Sequence, residues 1–168
     1  MNILSLDNST KSTGWSVFED GVLKDYGCIT SSSSDLFKRI HIMVDAINEL
    51  IKKHNITKIV MEEVRPDTGL NLATHKALMF LQGAIFMMLH DNYPKVTTEL
   101  VLPSEWRKVC KIKQGRGITR DAVKKNDIAF VQEKFGITVN DDIADACCIG
   151  YAFLHPEDKK ENILMWGE

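Results

Sequence analysis

No apolar run in the chain reaches the roughly 20 residues that a bilayer-spanning helix needs; the most apolar stretch covers only residues 77 to 89. Nor does a basic, apolar, small-residue leader open it. Both absences predict a soluble, unsecreted, cytoplasmic protein that does not bind membrane. The four cysteines, Cys28, Cys110, Cys147 and Cys148, form no C-x-x-C pair and no zinc-like spacing. They read as thiols in a reducing compartment, neither disulfide partners nor metal ligands. Charge of either sign is not in excess: the net value is −2. That excludes a polyanion binder whose affinity comes from a uniformly basic surface.

What is present is enough for one domain. At 168 residues and 44% hydrophobic the chain can bury a single core and is short for two. The expected boundaries are residues 1–156 for the domain and 157–168 for a charged, loosely held tail. Charge is distributed unevenly. Arg107, Lys108, Lys111, Lys113, Arg116, Arg120, Lys124 and Lys125 fall within 19 positions against Asp121 alone. Such a segment can hold phosphates on an otherwise acidic chain, or it can be a solvated helix face with a basic loop.

Ile3 to Leu6 reads as a buried strand ending at Asp7, and Ser9 to Gly14 as a tight turn. Two alternating runs follow, joined at Asp20-Gly21, a hairpin signal. The serines at 31 to 34 offer an N-cap to a helix ending near Lys53, with Leu36, Ile40, Met43, Val44, Ile47, Leu50 and Ile51 on its apolar face. Ile56 to Met61 is a second buried strand that delivers Glu62 and Glu63 at its carboxyl end. Neighbouring strand residues point to opposite faces, so one of the two can share a site with Asp7.

A loop from Arg65 to Gly69 leads to a helix from about Leu72 to Met88 that is apolar nearly all round. It needs cover on more than one side, from a second helix of this chain or from a second copy of itself. Val96 to Val101 reads as a strand and Pro103 as the start of a short helix. Gly115-Arg116-Gly117 breaks regular structure, Thr119 caps a helix carrying Val123, Phe130 and Val131, and Phe135-Gly136 closes it. The last helix opens at Asn140-Asp141-Asp142 and ends at His155-Pro156. This order predicts an α/β three-layer fold whose mixed sheet is antiparallel at its hairpin edge and parallel elsewhere.

The acids fall at telling places. Asp7 and Glu62 or Glu63 close two strands at the carboxyl edge, where open α/β sheets build their sites. Asp142 and Asp145 share one helix face near a helix N-terminus. Each has an ordinary reading: turn, exposed strand end, N-cap for Asp141 or Asp142. Asp145 resists it, because it interrupts an apolar helix and a buried carboxylate is costly unless paired or bound to metal. Four carboxylates without His or Cys partners suit Mg²⁺ or Mn²⁺. Two such ions about 4 Å apart drive in-line phosphodiester hydrolysis, and the basic segment would hold the polyanion.

Asp7-x-Ser9 with Thr13-Gly14-Trp15, the Val60-Met61-Glu62-Glu63-Val64 strand, the basic stretch from Pro103 to Gly117 and Asp142-Ile143-Ala144-Asp145-Ala146 resemble the RuvC family of Holliday-junction resolvases. The likeness is greatest to the RuvC-like endonucleases of lactococcal phages, which would place the protein in a host cell cytoplasm. It implies an RNase H-like fold with a five-stranded sheet, a homodimer, two Mg²⁺ per active site with Mn²⁺ as substitute, and paired nicks across four-way or other branched DNA. It also implies Asp7, Glu62, Asp142 and Asp145 as metal-binding acids, Glu63 falling where bacterial members often carry Gln. Arg107 matches a lysine near the scissile phosphate, and Arg120 lies near a second. The apolar helix with Met79 and Phe86 matches the dimer helix. Arg65 stands where bacterial resolvases carry a junction-inserting aromatic residue, which predicts acceptance of three-way and fork structures as well as four-way junctions. Two rival readings are a catalytically silent branched-DNA binder and an ATP-dependent phosphotransferase. The latter rests on the likeness of Asp7 to Thr10 with Thr13-Gly14 to the first phosphate loop of the actin and sugar-kinase superfamily.

Overall fold

The computed structural model describes residues 1–65 and 71–156; all but Arg65 of the loop expected from Arg65 to Gly69, and the tail expected at 157–168, lie outside the described residues. Strands β1 (Asn2–Asp7), β2 (Ser12–Glu19), β3 (Val22–Thr30), β4 (Lys58–Glu62) and β5 (Thr97–Val101) form one sheet in the order β3-β2-β1-β4-β5. The first three pair antiparallel, and β4 and β5 join parallel to β1. Sheet type and strand count are those expected. The β2–β3 hairpin turns at Asp20 and Gly21, whose φ angles of 49° and 83° are the paired positive values of a tight hairpin turn.

Alternation along the strands divides the core. Leu4, Leu6, Val17, Ile59 and Met61 face α1 (Leu36–His54) and α2 (Leu72–Asn92). Ile3, Phe18 and Val60 face the other way, toward α3 (Pro103–Val109), α4 (Arg120–Phe135) and α5 (Asp141–Leu154). The result is three layers. By the same parity, Asp7 and Glu62 belong to the α5 face, together with Ile3, Ser5 and Val60.

Helix α5 lies along β2 because their repeats nearly match: four helical residues rise ~6 Å and two strand residues ~6.6 Å. Gly14 is in contact with Asp142, the Ser16 hydroxyl donates to the Ala146 carbonyl at 3.1 Å, and Phe18 packs at Gly150. Small residues permit the approach. A Cβ on Gly150 would stand 2.4 Å from the Phe18 ring and 2.5 Å from Ser5 Oγ.

Three local expectations are corrected. The serines before α1 do not cap it; Asp35 does, accepting from Lys38 N at 2.9 Å. Asn140 caps α5, accepting from Ile143 N at 3.0 Å, which leaves Asp141 and Asp142 inside the first turn with their carboxylates uncommitted to capping. Helix α2 runs to Asn92, 21 residues, and by length and composition alone could cross a membrane, so the length argument drawn from residues 77 to 89 does not hold. Leu81, Ile85 and Leu89 bury one face of α2 in the α1 core, while Leu72, Met79, Phe80, Phe86 and Met87 remain exposed on the other.

Candidate functional site

Because β1 and β4 are parallel neighbours with Leu6 opposite Met61, their terminal acids Asp7 and Glu62 emerge side by side. Glu62 is held: its Oε2 accepts from Trp106 Nε1 at 3.0 Å, and its carbonyl accepts from the buried Gln82 at 3.3 Å. Trp106 is almost wholly buried, so α3 serves as a fixed prop for this carboxylate. Glu63 lies just past the strand and lines the same cleft from outside it.

Asp142 reaches the pair from the opposite layer. In β2 the partner of Asp7 is Gly14, and over Gly14 lies the Asp142 backbone; the Thr13-Gly14 signature thus has a mechanical reason. Ser12 Oγ hydrogen-bonds the Asp142 carboxylate, with Cys28 Sγ 3.8 Å away. Asp145, one turn on, carries a buried Oδ1 that no donor among the described residues reaches. Asp141 instead turns outward to Lys124, whose hydrogen bond pulls its carboxyl below the usual range.

Crowding shows in the electrostatics. Burial, reinforced by Glu62 and Asp142, pushes Asp7 up to about 8. Burial, then Asp7 and Asp127, pushes Asp145 up to about 10. Glu62 is raised by burial and restrained by the Trp106 hydrogen bond and by Arg107. Arg107 is the cation whose field lowers all of Asp7, Glu62, Asp127 and Asp145. It is half-buried with its Nε unpartnered, and its guanidinium stacks 4.4 Å from the Trp106 ring.

Oxygen-only donors, like charges forced together and an orphaned Asp145 oxygen fit a hard divalent cation. The side chains do not yet converge: among the described residues no three of them meet at one cation position. Glu62 and Asp142 each point to a protein partner instead, Trp106 and Ser12.

The basic segment divides between two clefts. Arg65, Arg107, Arg120 and Lys124 line a cleft of about 650 Å³ with Glu62 and Asp145. Lys111 and Lys113 line another of about 690 Å³, beside Phe130 and Tyr151, away from the acids. Lys108 and Arg116 are exposed and line neither. Met79 and Phe86 lie on the outer face of α2, apart from both clefts.

Asp127 was not anticipated. It is fully buried on α4 and raised by burial, against Asp145. Its signal was available: it lies four residues after Val123 and four before Val131, on the inward stripe of that helix.

Solved structures of similar fold match over nearly the whole chain. The Thermus thermophilus RuvC determined with a Holliday junction substrate has a TM-score of 0.73 at 13% identity, over 94% of this chain and 95% of that one. The yeast mitochondrial Holliday junction resolvase scores 0.59 at 17% identity, over 95% and 80% of the two chains. The Fowlpox virus resolvase, solved with Holliday junction DNA, scores 0.59 at 15% identity, over 94% and 99%. No curated protein sequence matches the chain. The fold is thus RNase H-like. A sequence profile described as "Crossover junction endodeoxyribonuclease RuvC" matches residues 3–149, nearly the whole described domain, and the chain belongs to this family of junction-cutting endodeoxyribonucleases.

Proposed function

We propose that this protein is a divalent-metal-dependent endonuclease that binds branched DNA, nicks it by phosphodiester hydrolysis, and works as a homodimer. The observation that supports the reading is that Glu62 and Asp145 line one cleft with Arg65, Arg107, Arg120 and Lys124, while Asp7 and Asp142 lie near enough to this pair that their charges raise the Asp7 carboxyl. Neither a silent binder nor a phosphotransferase requires acids so crowded that burial and mutual repulsion hold their protons on.

The four acids would hold Mg²⁺, or Mn²⁺ in its place. A pair of such ions, when bound, supplies an activated water and charge stabilisation at the leaving oxygen. The protein's own part is placement. Trp106 and Ser12 hold the Glu62 and Asp142 carboxylates by hydrogen bonds, and these two acids would have to turn from their partners, or share them, to meet a cation. Arg107 lines the cleft beside Glu62 and Asp145, where its guanidinium can meet the scissile phosphate and offset the repulsion a polyanion would feel. Arg120 and Lys124 would hold the flanking backbone without reading bases, as Lys108, Lys111, Lys113 and Arg116 would farther out.

Arg65 is exposed at the cleft mouth. A guanidinium meets phosphates or stacks on an exposed base, contacts that many branched structures offer, whereas an inserted ring selects one geometry. Three-way junctions, forks and four-way junctions should therefore be cut within about tenfold of one another, a spread of about 1.4 kcal/mol. The outer face of α2 supports the dimer: Met79, Phe80, Phe86 and Met87 are exposed together, with Phe37 of α1 6.0 Å from Phe80. Such an apolar face is costly to leave in water.

The test is to offer four-way, three-way, fork and linear duplex DNA of one sequence, with Mg²⁺ and with EDTA. Cleavage of the branched forms in Mg²⁺ only is expected. Asp7→Asn, Glu62→Gln, Asp142→Asn and Asp145→Asn should each abolish cutting while leaving junction binding intact, and Glu63→Gln should matter much less. Binding without cutting by the unaltered protein in either metal would establish the silent binder instead.

A further inference from the structure

Gln82 is, among the described residues of α2, the one polar side chain buried on its inner face, beside Leu81, Ile85 and Leu89. An amide there has no packing advantage over Leu, because burying it destabilises the fold unless it is hydrogen-bonded. Its Nε2 donates to the Glu62 carbonyl at 3.3 Å. That carbonyl stands where the sheet runs out. The β1–β4 pairing ends at Leu6 opposite Met61, and Glu62 keeps a strand partner, Val101, on the β5 side alone. Gln82 takes the place of the next rung. Glu62 is thus gripped at two points, its main chain from α2 and its carboxylate Oε2 from Trp106 Nε1 of α3 at 3.0 Å.

We propose that Gln82 is a positioning residue: by holding the Glu62 carbonyl it fixes the main chain from which the Glu62 side chain leaves β4, and so sets where that carboxylate stands relative to a divalent cation. This rests on the reading of Glu62 as a cation-holding acid. Helix α2 then belongs to the site although none of its described side chains lines the cleft. The consequence reaches the outer surface. Met79 and Phe86, three residues before Gln82 and four after, are its neighbours along the helix and are exposed. A shift of α2 at that apolar patch is therefore carried to Glu62. Loss of a partner that orients a metal ligand weakens metal binding about 10- to 100-fold, and Gln82, acting through the main chain, should fall at the lower end.

The measurement is the indole N–H resonance of Trp106 in the full chain in EDTA, identified by its loss in Trp106→Phe, alongside thermal melting and Mn²⁺ binding followed by electron paramagnetic resonance. Gln82→Met keeps the length of the side chain and removes the donor. The Trp106 resonance should move upfield as the Glu62 carboxylate draws away, and Mn²⁺ should bind about tenfold more weakly. Ile85→Val trims the same buried face and leaves the amide in place. It should lower the melting temperature while the resonance and the Mn²⁺ affinity stay where they are. A merely structural Gln82 would behave like Ile85, with a lowered melting temperature and neither readout moved, and that result overturns the proposal. So does an Ile85→Val protein that loses as much Mn²⁺ affinity as Gln82→Met. Unfolding of both Gln82→Met and Gln82→Leu overturns it too, since the amide then serves the fold and not the site. An unaltered protein that binds no Mn²⁺ overturns the cation reading of the acids. The placement of Glu62 is then judged by the Trp106 resonance alone, whose movement in Gln82→Met upholds it and whose constancy ends it.

Discussion

Substituting Ala for Gly14 tests how the acids are brought together without altering any of them. A Cβ at this position would lie 1.9 Å from the Asp142 carbonyl oxygen and 2.3 Å from its carbonyl carbon, where ordinary contact begins at 3.4 Å. The shortfall is about 1.5 Å against backbone atoms, which no rotamer change relieves. Strand β2 is paired on both sides, so the N-terminal turn of α5 must give way. Overpacking of this kind costs about 1–3 kcal/mol. For a domain of this size that lowers the melting temperature by roughly 2–4 °C per kcal/mol. The larger effect is on chemistry. Asp142 and Asp145 ride on the displaced turn, and a 1 Å error in reacting groups is worth on the order of a hundredfold in rate. Single-turnover nicking of a labelled four-way junction in Mg²⁺ should therefore fall about a hundredfold, with junction binding within about twofold because the basic wall is untouched. Gly27→Ala is the control: its Cβ would press on the Trp15 side chain at 2.7 Å, on the sheet face away from the acids. It should lower the melting temperature and leave nicking nearly unchanged. Nicking by Gly14→Ala within threefold of the unaltered protein would refute the argument that this close approach sets the site.

Three further expectations follow from the charges and the outer helix. In EDTA the folded protein holds the protons of Asp7 and Asp145 far more tightly than the unfolded chain, with values near 8 and 10 against an unfolded value of about 4. Their contribution to stability is therefore best below about pH 4 and is lost as pH rises toward those folded values. Melting scans should show stability falling between pH 5 and 8 in EDTA and Mg²⁺ restoring more at pH 8 than at pH 5; an Mg²⁺ effect independent of pH would contradict this. Arg107→Ala and Arg120→Ala should weaken binding to every branched DNA alike and lower the slope of log K against log salt by about 1 per lost phosphate contact, measured by fluorescence titration. An unchanged slope would place the DNA elsewhere. Met79→Glu or Phe86→Glu should yield, at one position at least, a folded monomer that nicks one strand at a time, since coordinated nicks need two sites at fixed separation. Sedimentation of the unaltered protein as a monomer with and without DNA would end the dimer reading.

The strands and helices were legible because each carries its own period and stop signals. Leu4 and Leu6 against Ile3 and Ser5, and Ile59 and Met61 against Val60, assign the two sheet faces before any contact is seen. Alternation says that one of Glu62 and Glu63 shares a face with Asp7; the family resemblance points to Glu62, and the register of Leu6 opposite Met61 bears that choice out. What local pattern cannot hold is the identity of the capping atom among several candidates, and here Asp35 and Asn140 took places that neighbouring serines and aspartates could have filled. The partners of the acids were illegible as well. Ser12 and Asp142 are 130 residues apart, Glu62 and Trp106 44 apart, and nothing near either residue announces the other. Asp127 is the instructive miss: its place on the inward stripe was readable, but an acid there contradicts the pattern, and it is fully buried.

The acids come from the first strand, the middle of the chain and the last described helix, and Gly14 and Ser16 receive α5 only after everything between has been laid down. During synthesis the chain emerges in that order. Loop closure on this scale comes late in folding, since contacts between distant segments form only after their entropy cost has been met. If the four acids form the site as proposed, a partly made or partly unfolded chain that presents Asp7, or Asp7 with Glu62, but lacks α5 seated on β2 has half a site, and completion of the fold is also the event that arms it.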